Sequence, residues 1–130
     1  MAVLAHAKKM SVARALLVMP LVMHEATVRY MGRGNVAIRE AAALVANKPD
    51  LFANFNLRFQ EGLAVTVNAI QLIVEAGYVK FDGGLILLQP LNIDKSFGHR
   101  AQRIAKASSH IAAVLESPVD ELYLNFRVQL

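Results

Sequence analysis

The stretch Glu75-Ala76-Gly77-Tyr78-Val79-Lys80-Phe81-Asp82-Gly83-Gly84-Leu85-Ile86-Leu87-Leu88 constrains the fold more than any other part of the chain. Gly77 stands where a helix takes a left-handed C-terminal cap, a conformation in which a Cβ is penalised. Asp82-Gly83-Gly84 supplies the positive φ angles of a tight turn between two strands. The predicted order is helix, glycine stop, a hairpin from Tyr78 to Leu88, then a further helix from about Ser96. The fold class expected is therefore mostly α with a β-hairpin, an α+β chain of winged-helix type. Domains of that kind bind DNA or proteins and rarely do chemistry. Function becomes a question of partners before it is one of reactions.

A coarse pass gives five helices, the hairpin and a last strand. Met10 to about Met31 is predicted as one helix, kinked at Pro20, whose ring removes a backbone donor. Gly32-Arg33-Gly34 ends it, and Asn35 is a good N-cap for a short helix through Ala46. Asn47-Lys48-Pro49-Asp50 is a turn. Leu51–Gln60 is predicted helical, with Phe52, Phe55 and Phe59 three and four residues apart, and Gly62–Ala76 follows. Ser96–Glu116 is the fifth helix. From Leu122 to Leu130, apolar residues alternate with mixed ones, the period of a half-buried strand. That strand would pair with the hairpin or add to a partner's sheet edge. The 130 residues read as one domain: a basic helical part at 1–48, a winged-helix-like core at 49–116 and the strand segment at 117–130.

Composition bears on what this domain meets. Apolar residues make up 55% of the chain and charged residues 18%, against ~45–50% and ~25% in ordinary soluble domains. A domain this small has limited interior, so part of the surplus is expected at the surface, where apolar patches mark partner interfaces. The candidates are Leu17 and Leu21 in the apolar early segment, and Leu124, Phe126 and Val128 on the tail strand. No apolar run reaches the ~20 residues of a membrane span, since Pro20 interrupts the longest. With no cysteine and no signal-peptide layout, a cytoplasmic protein without membrane contact is expected.

Charge is uneven. Lys8, Lys9, Arg14, Arg29, Arg33, Arg39 and Lys48 face only Glu25 and Glu40 in the first part, whereas 49–95 is mildly acidic. The helix before the hairpin, which enters a DNA groove in many winged helices, has no Arg or Lys between Leu63 and Gly77. Its polar residues are Thr66, Asn68, Gln71 and Glu75. Base reading and phosphate contact both favour cations, so sequence-specific reading by that helix is not expected. The fifth helix differs. His99, Arg103, Lys106 and His110 form a stripe with Arg100 beside it, a candidate contact for DNA phosphates or an acidic partner.

Groups for catalysis, cofactor binding or metal binding are not apparent. The histidines are His6, His24, His99 and His110, without an HExxH pairing, and His99 and His110 lie ~16 Å apart along a helix. No phosphate-loop or dinucleotide fingerprint is present. His24-Glu25 is the one pair an enzyme of unknown type would offer, and a hydrogen-bonded core histidine fits it better. Neither enzymatic activity nor a cofactor is expected.

The segment Met19-Pro20-Leu21-Val22-Met23-His24-Glu25-Ala26-Thr27 resembles a block of the small middle components of ABC three-component systems. Phe55-Asn56-Leu57-Arg58, the helix Leu63–Ala76, Gly77-Tyr78 and the hairpin are similar to that family's next block. The likeness runs from about Val12 to Leu115. It departs at Glu25, where the family usually has Lys, and at Val28, where Arg is common. The resemblance implies an accessory subunit, similar to the winged-helix "kite" subunits of SMC complexes. It would serve an SMC-like ABC ATPase together with a nuclease-like effector, as in Lamassu-type defence against phages and plasmids, with DNA met nonspecifically through the complex. The alternative is a free-standing winged-helix transcriptional regulator.

Overall fold

The chain, analysed as a computed structural model, is described over residues 1–33 and 39–129. These comprise eight α-helices, two short 3-10 turns and a three-stranded antiparallel sheet. The α+β expectation holds at that level. The predicted N-cap Asn35 lies outside the described residues.

The hairpin forms as its turn chemistry dictates. α6 (Leu63–Glu75) ends in a Schellman motif. Gly77 takes φ +85°, its N–H bonds the Val74 carbonyl, and the Tyr78 N–H bonds the Ile73 carbonyl at 3.1 Å. These bonds satisfy carbonyls that a helix end leaves open. β2 (Val79–Phe81) then pairs with β3 (Leu85–Leu87) in the register Val79↔Leu87, Lys80↔Ile86, Phe81↔Leu85. Gly83 and Gly84 adopt φ +68° and +153°.

The third strand does not come from the tail. It is β1 (Lys9–Met10), which pairs with β3 to give the order β1-β3-β2, with Met10 opposite Leu85. The turn glycine makes this approach possible, because a Cβ on Gly84 would lie 3.0 Å from the Met10 carbonyl oxygen. Before β1 runs α1 (Ala2–Ala7), a helix the sequence reading does not contain; its Val3 and Leu4 are buried.

The expected helix Met10–Met31 is two helices, α2 (Val12–Val22) and α3 (Glu25–Met31). Ser11 caps α2 by accepting from the Arg14 N–H at 3.2 Å. Pro20 is inside α2, but the break falls at His24, whose backbone is extended. α4 (Ala41–Asn47) and a 3-10 turn (Pro49–Phe52) lead into α5 (Phe55–Glu61), so the helix predicted over Leu51–Gln60 is cut near Ala53. A 3-10 turn at Lys95–Phe97 precedes α7 (Gly98–Val114), which packs against α1 and α3.

The tail is α8 (Val119–Asn125), not a strand. A strand would put Leu122, Leu124 and Phe126 on one face. The helix buries Leu122 and Phe126, four residues apart, and turns Leu124 outward at 77% exposure. Burial decides between the two patterns. Phe126 stacks on Phe52 at 4.7 Å between ring centroids and tilts against Phe55 at 5.0 Å. Arg127, at φ +58°, closes α8 with the bonds Arg127 N–H to Leu124 and Val128 N–H to Tyr123. Beyond it, Gln129 is tied to α5 through Asn56 and Gln60.

Candidate functional site

α3 and α7 bring together cations that are distant in sequence. α7 presents Arg100, Arg103 and Lys106 on its exposed side. α3 contributes Arg29, and Arg33 follows just past Gly32. One cleft of about 360 Å³ is lined by Val22, Met23, Glu25, Val28, Arg100, Arg103 and Ile104. A neighbouring one of about 200 Å³ is lined by Val28, Arg29, Gly32, Arg33, Arg103 and Lys106. Val28 and Arg103 line both. Gly32 faces the Lys106 side chain across the second cleft, 3.9 Å from where a Cβ would stand.

Few acids balance these charges. Arg29 pairs with Glu25 at 2.9 Å across one exposed helical turn, the sole ion pair among the described residues. Arg100 points its Nη2 at the Met23 sulfur, 3.6 Å away. Arg33 lies 5.5 Å from the centre of the Tyr30 ring. Five positive side chains over an apolar floor suit an extended anion such as a phosphodiester backbone.

The histidines of the predicted stripe separate. His99 is exposed at the start of α7. His110 is half-buried, and its Nδ1 donates to the Met31 carbonyl oxygen at 2.7 Å. It joins α7 to the end of α3 and leaves the cation stripe to Arg100, Arg103 and Lys106. Arg29 and Arg33 are absent from the sequence reading of the site. Arg29 is on α3 and Arg33 lies past its end, and the sequence does not say which helix they meet.

The predicted partner-facing residues are mostly interior. Leu17, Leu21 and Phe126 are core side chains, Val128 is half-buried, and Leu124 alone is open. Among the described residues, half of the large exposed apolar side chains lie instead around α6 and the hairpin: Val65, Val67, Leu72, Phe81 and Leu88. In α6 only Thr66 is buried, its hydroxyl donating to the Gly62 carbonyl at 3.0 Å. The legible signal was the density of apolar residues over Leu63–Ala76, interrupted only by Thr66, Asn68, Gln71 and Glu75.

His24 has a structural place. It stands at the N-cap position of α3 without capping a backbone N–H, and its Nδ1 lies 2.8 Å from the Thr27 hydroxyl. Burial, then the positive field of Arg58, pushes its pKa below the usual value. Arg58 itself donates from Nη1 to the Pro20 carbonyl at 2.8 Å and from Nη2 to the Leu51 carbonyl at 2.6 Å. The two sequence blocks around Pro20 and Arg58 thus meet through a guanidinium that satisfies a last-turn carbonyl of α2. Among the described residues no three His, Asp or Glu side chains gather in a group able to hold a metal, and no helix is long and apolar enough to cross a membrane.

A family model described as "ABC-three component (ABC-3C) system Middle Component 3" matches residues 4–130. No curated protein and no solved structure matches the chain.

Proposed function

This chain belongs to the Middle Component 3 family of ABC-three component systems, and we propose that within such a system it is a non-catalytic accessory subunit. It joins an SMC-like ABC ATPase to an effector such as a nuclease, in Lamassu-type defence against phage or plasmid DNA. The family match over nearly the whole chain carries this reading. Two surfaces support it. The α6–hairpin unit has the helix–turn–hairpin order expected of a winged helix, and α6 offers apolar side chains and no cation, which suits protein more than DNA. The α3–α7 cleft supplies the positive charge for a nonspecific hold on DNA passing through the complex. A free-standing regulator would need base-reading cations that α6 lacks.

Co-expression with the neighbouring ATPase and effector genes tests the assembly. All three components should co-purify through this chain, and a lone chain that leaves both partners behind would refute it. Duplex binding by the complex across a salt series tests the cleft. Changing Arg100, Arg103 and Lys106 together to Ala should flatten the slope of log affinity against log salt by about 3. An unchanged slope would assign the cleft to an acidic protein surface.

A further inference from the structure

Along α6, Val65, Ala69, Leu72 and Ala76 recur at spacings of four, three and four, so they form one longitudinal stripe. Val65 and Leu72 are 56% and 66% exposed. An apolar groove of about 100 Å³ between α1, α2 and α6 adjoins the stripe, lined in part by Val3, Val18, Ala69, Ile70 and Ile73. Ala69 belongs to both, so stripe and groove are one continuous apolar surface.

The charged side chains at the two ends of α6 have one sign, and the helix itself carries no Lys or Arg. From Phe59 to Asp94 the acids are Glu61, Glu75, Asp82 and Asp94, and Lys80 is the single cation. Glu61 and Glu75 stand exposed at the two ends of α6, and neither forms an ion pair with a described residue.

We infer that the Val65–Ala76 stripe seats an amphipathic helix of a partner subunit whose apolar face is flanked by Lys or Arg. This rests on the accessory-subunit reading above. Helix-in-groove docking uses anchors at such spacings, with the apolar side chains of the incoming helix entering the groove. A second copy of this chain fits poorly. A two-fold pairing of α6 on α6, antiparallel about Asn68, sets Glu61 against the other copy's Glu75. A parallel pairing sets each acid against itself. No Lys or Arg on α6 relieves either arrangement, whereas a basic helix meets both acids favourably.

The test uses the complex of this chain with the other components of its system. The photocrosslinker p-benzoylphenylalanine replaces Leu72, and the linked peptide is identified by mass spectrometry. A partner segment with apolar residues at helical spacing and net positive charge is expected. Val65→Glu with Leu72→Glu should weaken retention of that component at least about tenfold while the thermal midpoint of the free chain stays put. Glu61→Lys with Glu75→Lys, which leaves the stripe intact, should weaken it too, most strongly at low salt. A crosslink to a second copy, a crosslink to an acidic segment, or an assembled complex indifferent to both double variants overturns the inference and leaves the accessory-subunit reading standing. If the unaltered chain retains no component at all, both fall.

Discussion

Arg58→Ala should destabilise the fold by about 3.5 kcal/mol, and the estimate follows from three contacts. The guanidinium donates to the Pro20 carbonyl at 2.8 Å and to the Leu51 carbonyl at 2.6 Å, and it lies 5.2 Å from the centre of the Phe55 ring. Hydrogen bonds from a charged donor contribute about 1.5–3 kcal/mol each. The side chain is half-buried, so water can take over part of what is lost and the lower end applies. A cation–π contact at such a site adds about 0.5–1 kcal/mol. Urea unfolding followed by far-UV circular dichroism measures the sum. With a slope of about 1.5 kcal/mol per molar, the midpoint should fall by about 2.3 M. Arg58→Lys should lose roughly half as much, since a single ammonium on a flexible stem does not reproduce the planar fork. The alanine variant should also let the His24 pKa move back toward its usual value, because Arg58 is the second cause of its depression. Nuclear magnetic resonance titration of the His24 ring reads that shift. An alanine variant as stable as the parent, with His24 titrating unchanged, would refute the bridging role.

Three further outcomes follow from particular side chains. His24 binds its proton less readily folded than unfolded, so its contribution is complete above the usual 6.5 and is lost as pH falls through the lower folded value. Stability should therefore decline on acidification below about 6.5, and His24→Gln should flatten that part of the pH profile. Gly84→Ala places a Cβ against the Met10 carbonyl at a φ of +153° and should cost about 1–3 kcal/mol. A variant with unchanged urea midpoint would mean that β1 does not lie against the turn. Phe126→Ala should cost about 3–5 kcal/mol, whereas Leu124→Ser should stay within about 0.5 kcal/mol. Similar losses from both would fit a strand and contradict α8.

On the function proposed above, the α3–α7 cleft and the α6 face would divide two tasks that a single reading helix often combines. Positive charge sits on one surface and apolar area on another, so contact with a phosphate backbone need not compete with contact to a protein. Mutations can then separate the two: charge changes in the cleft should alter salt dependence, and changes on α6 should alter assembly.

The sequence alone determined the parts whose instructions lie within a few consecutive residues. Gly77 stops α6, and Gly83 and Gly84 turn the hairpin, because positive φ is a local demand that glycine meets locally. The long helices before and after the hairpin follow from runs of compatible residues. Tertiary structure decided what local chemistry left balanced. Leu122-Tyr123-Leu124-Asn125-Phe126 suits a strand by alternation and a helix by its 122/126 spacing. The Phe52–Phe55 surface rewards the helix, and Arg127, unlike a glycine, gives no advance sign of the stop. Ser117-Pro118 followed by Asp120 and Glu121 was the readable hint of a helix start. β1 is two residues long, too short to carry a period, and exists only because β3 offers an edge. Arg29 and Arg33 join Arg103 and Lys106 only because α3 packs on α7, with His110 bonded to Met31 across the contact. Backbone conformation is chosen by neighbours along the chain. Burial and the company a side chain keeps are chosen by which faces meet, and that choice belongs to the whole fold.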